Sequence, residues 1–180
     1  MNQIRSFRNR IISMPVKYSW VVDVENYCNW LNEYDKDANK TWARYRRMSL
    51  IAFADYYGKS IPEIRSYFVK YHQEYRRFPT RHDFEYKGMK IKLICTNVNE
   101  KWNIGPILHG RMTEKAYSKG NDYYVLCAYD ISRVSFIGWL PHDMAGVTKN
   151  KGYYEIREEN CLPMEKLSTL DSKDSLRWYF

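Results

Sequence analysis

The chain has 180 residues, 44% hydrophobic and 28% charged, with 17% aromatic and a formal net charge of +8. That length suits a single domain with one sizeable core, and the hydrophobic share excludes a disordered charged tail. The positive balance attracts polyanions, mainly nucleic acid or an anionic membrane.

Met1 to Met14 carries Arg5, Arg8 and Arg10 and lacks an apolar stretch of signal-peptide length, so it reads as a basic arm. No run reaches the length of a membrane span, and the expected location is cytoplasmic. Val22 to Tyr34 predicts a short amphipathic helix with Asp23 as N-cap. A polar loop over 35–40 follows. The expected division is an arm and N-terminal helix over 1–40, packed on an α/β core over 41–180.

Thr41 to Tyr57 predicts a helix. Leu50, Phe53, Ala54 and Tyr57 share one face, and Gly58 stops it. Its first half is basic, with Arg44, Arg46 and Arg47. Ser60 to Phe78 predicts a second helix, with Pro62 and Glu63 in its first turn and an apolar stripe of Ile61, Ile64, Phe68, Tyr71, Tyr75 and Phe78. Pro79 ends it.

A hairpin comes next. Asp83 to Lys87 is one strand, Gly88 lies in the turn, and Lys90 to Thr96 returns. Asn97 to Gly110 reads as an irregular loop and Arg111 to Lys119 as a short helix. Tyr123 to Tyr129 is nearly all apolar, which suits a strand buried on both faces. Val134 to Leu140 is a further strand, Tyr153 to Arg157 an edge strand, and Met164 to Leu170 opens a C-terminal helix. The order implies a small sheet flanked by helices, α/β or α+β.

Cys28, Cys95, Cys127 and Cys161 form no CxxC pair, so zinc has no support. Cys95 and Cys127 sit in apolar runs, where a thiol acts as a small hydrophobe. His72, His82, His109 and His142 show no ligand spacing. No GxSxG, P-loop or GxGxxG is present.

Several segments resemble the PD-(D/E)XK, or restriction-endonuclease-like, nucleases. They are Ser49 to Gly58, Asp83-Phe84 with Gly88 and Lys90 to Thr96, Asp122 to Leu126, Phe136 to Trp139, and Leu162 to Leu167. The resemblance runs from Trp42 to Leu170 and implies an αβββαβ core. In that family a strand Asp and the Glu of an ExK motif hold Mg²⁺, and the ExK Lys steadies developing charge. A Glu on the opening helix often joins them.

Here Asp83 stands where the family Asp belongs. Lys92 stands at the Glu, Ile94 at the Lys and Leu50 at the helix Glu. A Lys at a metal position repels the metal. A migrated site is the alternative, with Asp83, Glu85 and Lys87 alternating onto one face and Asp83 holding Mg²⁺, helped by a carboxylate such as Glu63 or Glu74. The bland reading makes Glu85 and Lys87 a solvated strand face, with Phe84 and Tyr86 inward.

Arg44, Arg46, Arg47, Arg76, Arg77, Arg81, Lys90 and Lys92 come from three consecutive elements, and packing as in the resembling fold would bring several of them to the cleft around Asp83 as phosphate contacts. The expectation is therefore a catalytically inactive nuclease-fold protein without cofactor. It would bind nucleic acid, DNA over RNA, or a protein that processes it. Small size and a degraded site suit a phage or mobile-element protein that interferes with a host or defence system. The alternatives are an active Mg²⁺-dependent endonuclease with a rearranged site and a pure protein-interaction inhibitor using exposed aromatics.

Overall fold

The structure is a computed structural model, and it describes residues 11–34, 39–56, 82–86, 89–98, 109–117, 120–145, 149–150 and 152–164. The expected helix over Ser60 to Phe78 lies outside these residues, as does nearly all of the expected C-terminal helix.

The N-terminal part forms strand β1 (Ile12–Pro15) and helices α1 (Tyr18–Tyr34) and α2 (Lys40–Tyr56). The end of the basic arm is thus a strand, because Ile12 to Pro15 finds a sheet edge to pair with. Helix α1 begins four residues earlier than expected. That places Asp23 inside the helix, buried, rather than at its cap. Trp20, Val24, Cys28 and Leu31 recur in steps of three and four and form its buried stripe. Helix α2 is capped by Asn39, whose Oδ1 accepts the Trp42 N–H at 3.0 Å.

Then come β2 (Phe84–Tyr86), β3 (Met89–Asn97), β4 (His109–Thr113), a single turn α3 (Glu114–Tyr117), β5 (Tyr123–Tyr129) and β6 (Arg133–Pro141). A short α4 (His142–Ala145), β7 (Lys149–Asn150), β8 (Tyr153–Arg157) and a 3-10 turn (Glu158–Asn160) close the described chain. The helix expected over Arg111 to Lys119 is therefore mostly strand at its start. Arg111, Met112 and Thr113 pair with Glu155, Tyr154 and Tyr153, and this pairing overrides local helix preference. Strand β8 is also not an edge: β4 lies on one side and β7 on the other.

The main sheet is mixed, with order β1-β6-β5-β3-β2. Strands β3 and β5 run parallel, Leu93 opposite Val125 and Cys95 opposite Cys127. A parallel pair needs a long crossover, and β4 and α3 lie within it. The other neighbours are antiparallel. Between β5 and β6, Asp130 Oδ1 accepts the N–H groups of Ser132 and Arg133 and so fixes the turn.

Two cores flank the sheet. One holds Trp20, Phe53, Leu93, Val125 and Phe136 beneath α1 and α2. The other holds Ile94, Tyr124, Leu126 and Ile156 beneath the small sheet β4-β8-β7. Every residue of β5 is buried, as its apolar run predicts, because both faces are covered. The molecule is a mixed α/β protein of three layers: helices, five-stranded sheet, three-stranded sheet. Leu162 extends the β1 edge by exchanging two backbone hydrogen bonds with Trp139, at 2.8 and 3.0 Å. Gly138 permits this approach, since a Cβ there would lie 2.6 Å from the Leu162 carbonyl oxygen. Among the described residues no helix is long and apolar enough to cross a membrane.

Candidate functional site

Among the described residues, strand β2 is short and leaves the edge of β3 open beyond Ile91. Asp83 fills that gap. Its N–H donates to the Ile91 carbonyl at 2.8 Å, and its Oδ2 accepts the Leu93 N–H at 2.9 Å. The carboxylate thus takes the place of a missing strand partner. It is fully buried.

Two cations meet this carboxylate. Arg46, from α2, is ion-paired with it through Nη2. Lys92, from β3, brings its Nζ to 3.7 Å. Both cations are themselves buried, 6% exposed in each case. A charge withdrawn from water is tolerated only when paired and hydrogen-bonded, so these groups hold one another in place. The exposed ring of Trp42 lies over the Arg46 guanidinium, 4.9 Å from centroid to Cζ. That contact adds a cation–π attraction to the cluster.

Lys92 stands where the family resemblance puts a metal-binding Glu, and its ammonium lies beside the carboxylate the metal would use. Leu50 and Ile94, at the two other family positions, are packed into opposite cores, Leu50 under the helices and Ile94 under the small sheet. They supply neither ligand nor proton to Asp83. The backbone of Glu85 pairs with that of Lys90. The side chain of Glu85 lies outside the described residues, as do Glu63, Glu74 and Lys87. The described residues contain no group of three metal-ligating side chains.

The basic residues expected around the cleft take up varied positions. Arg44 makes a bidentate pair with Glu25 at 3.0 Å, half-exposed. Arg47 is buried, donates through Nε to Asp23 at 2.7 Å, and lies over the Tyr27 ring at 4.4 Å. Lys90 is exposed, and its backbone N–H donates to Asp122 at 2.7 Å. Arg76, Arg77 and Arg81 lie outside the described residues. Of the expected cleft cations that are described, Arg46, Arg47 and Lys92 are thus drawn inward to carboxylates.

The sequence reading missed the partnership of Arg46 with Asp83 and that of Arg47 with Asp23. One signal was available. Arg46 precedes Leu50 by four residues, so it shares the face that the resemblance turns toward the hairpin. Also missed was the thiol of Cys95, on the same strand as Lys92. Its pKa is lowered to about 7, first by a hydrogen bond from Cys127, with Ser49 and the charges of Arg46 and Lys92 acting the same way against desolvation.

No family model, curated protein or solved structure matches the chain.

Proposed function

We propose that this chain is a nuclease-like protein that binds and does not cut. Its ligand is nucleic acid, DNA over RNA, or a protein that processes nucleic acid. The single observation that carries the reading is the occupied carboxylate: Asp83 is already met by Lys92 and Arg46 inside the protein. A divalent cation there would face two fixed positive charges, and the Coulomb cost is steep where water is excluded. The antiparallel β2–β3 hairpin, the parallel step to β5 and the helix α2 against that sheet support a restriction-endonuclease-like core. The net charge of +8 and exposed Lys90 support an anionic ligand.

The deciding experiment incubates the purified chain with plasmid, single-stranded DNA and RNA in Mg²⁺ or Mn²⁺, alongside a calorimetric titration with Mn²⁺ alone. The expected result is intact nucleic acid and no Mn²⁺ binding. Cleavage that disappears in an Asp83→Ala variant shown by circular dichroism to remain folded would establish the active-endonuclease alternative instead.

A second reading has its own observation. Tyr18, Val21 and Val22 form an exposed apolar strip on α1, with Tyr18 83% exposed. A protein partner would cover such a strip. Binding to nucleic acid that fails to weaken as salt is raised would favour this reading, since phosphate contacts are lost with salt.

A further inference from the structure

We infer that Cys95 and Cys127 are a redox-active dithiol that closes to a disulfide when the chain meets a small disulfide oxidant. The two residues are direct register partners on the parallel strands β3 and β5, and both are free thiols. Neighbouring strands lie about 4.8 Å apart, within the Cα separation that a disulfide spans. Both side chains belong to the helix-facing side of the sheet, where Cys127 is in the core and Cys95 packs against it. Cys95 is the less buried of the two, so it is the sulfur a reagent meets first.

The electrostatics divide the labour. The hydrogen bond from Cys127, with Ser49, Arg46 and Lys92, favours the Cys95 thiolate. Burial holds Cys127 as the neutral thiol, well above its ordinary range. A thiolate is the attacking species in disulfide exchange, which assigns the first step to Cys95.

The Cys95 thiolate attacks one sulfur of oxidised glutathione, a low-molecular-weight disulfide. A Cys95–glutathione bond forms, the glutathione S–S bond breaks, and one glutathione thiolate leaves. Cys127 then gives up its proton to solvent, and its sulfur attacks the Cys95 sulfur. The second glutathione leaves as thiolate. The two protein sulfurs have together lost two electrons, the oxidant has gained two, and the two cysteine protons end on the two glutathione thiols. Because Cys127 resists ionisation, the second step is the slow one, and the adduct on Cys95 precedes the bridge.

The test treats the native chain with oxidised glutathione at neutral pH, quenches with acid at intervals, and maps the cysteines by mass spectrometry. The expected result is a glutathione adduct on Cys95 that converts to a Cys95–Cys127 bridge. In Cys127→Ser the adduct should persist without conversion. Iodoacetamide should label Cys95 on the order of tenfold faster than Cys28 or Cys161 in the reduced chain, in line with its larger thiolate fraction. Circular dichroism of each variant checks that the fold is retained. Adducts that fall first on Cys28 or Cys161, or a Cys95 adduct in the native chain that never converts to the bridge, would overturn the inference.

Discussion

Lys92 and Asp83 face each other one step beyond the last paired residues of the β2–β3 hairpin, with 3.7 Å between ammonium and carboxylate. Asp83 also pairs with Arg46 and receives the Leu93 N–H. One carboxylate therefore anchors a helix, a strand edge and a buried lysine. Asp83→Ala should destabilise the chain by about 3–5 kcal/mol, the usual cost of breaking a buried ion pair from one side. Lys92→Met, which keeps the apolar stem and leaves Asp83 with Arg46 and its backbone donor, should cost less. Urea unfolding of both variants ranks them. Equal losses would refute the central role given to the carboxylate.

Burial also separates two ion pairs on neighbouring helices. Arg47–Asp23 is buried, with side chains 4% and 1% exposed, while Arg44–Glu25 is open, at 39% and 48%. A double-mutant cycle should return a coupling of about 1 kcal/mol or less for the open pair. Asp23→Ala alone should cost about 3 kcal/mol or more, because it strips the buried Arg47 of this carboxylate.

Tyr123 and Tyr124 offer a sharper contrast, being adjacent and both fully buried. The Tyr123 hydroxyl has no hydrogen-bond partner among the described residues. The Tyr124 hydroxyl lies 3.0 Å from His142 Nδ1. Tyr123→Phe should leave the urea midpoint unchanged or raise it, since an unsatisfied buried hydroxyl is costly. Tyr124→Phe should lower stability by about 1 kcal/mol, the ordinary worth of such a bond.

Stability under reducing conditions should peak in the mildly alkaline range. The pKa of Cys95 is about 7 in the folded chain against an ordinary 9. Between these values the folded chain has released a proton that the unfolded chain keeps, so stability rises with pH and is lost as pH falls back through 7. Above 9 the sign reverses. Burial pushes Cys161 up to about 12 and Cys127 well above its ordinary range, while the unfolded chain ionises both. Burial also raises Tyr124 to about 12, so stability falls further above pH 10. Urea midpoints measured from pH 6 to 11 should trace this rise and fall, and Cys95→Ser should flatten the rise.

Much of the architecture was legible because hydrophobic pattern carries it. The all-apolar run from Tyr123 to Tyr129 marked a strand covered on both sides, and the three–four spacing of α2 marked its core face. The small sheet was not legible. Strand β4 finds its partner β8 only across a large sequence separation, and nothing local in His109 to Thr113 announces it. The site was half legible. A carboxylate at 83 and a lysine at 92 drew notice by their place in the hairpin. That Arg46 would turn inward to join them depended on the packing of α2 against β3, which composition does not encode.

The pairing of Ile12 with Phe136 joins one edge strand of the main sheet to a neighbour far along the chain. During synthesis β1 leaves the ribosome long before β6 exists. Until β6 arrives, β1 is a short edge with nothing to complete, and afterwards its docking covers part of the open edge of β6. β1 can therefore join this sheet only after β6 has been made. Contacts of such long range slow folding and leave strand edges exposed while it proceeds.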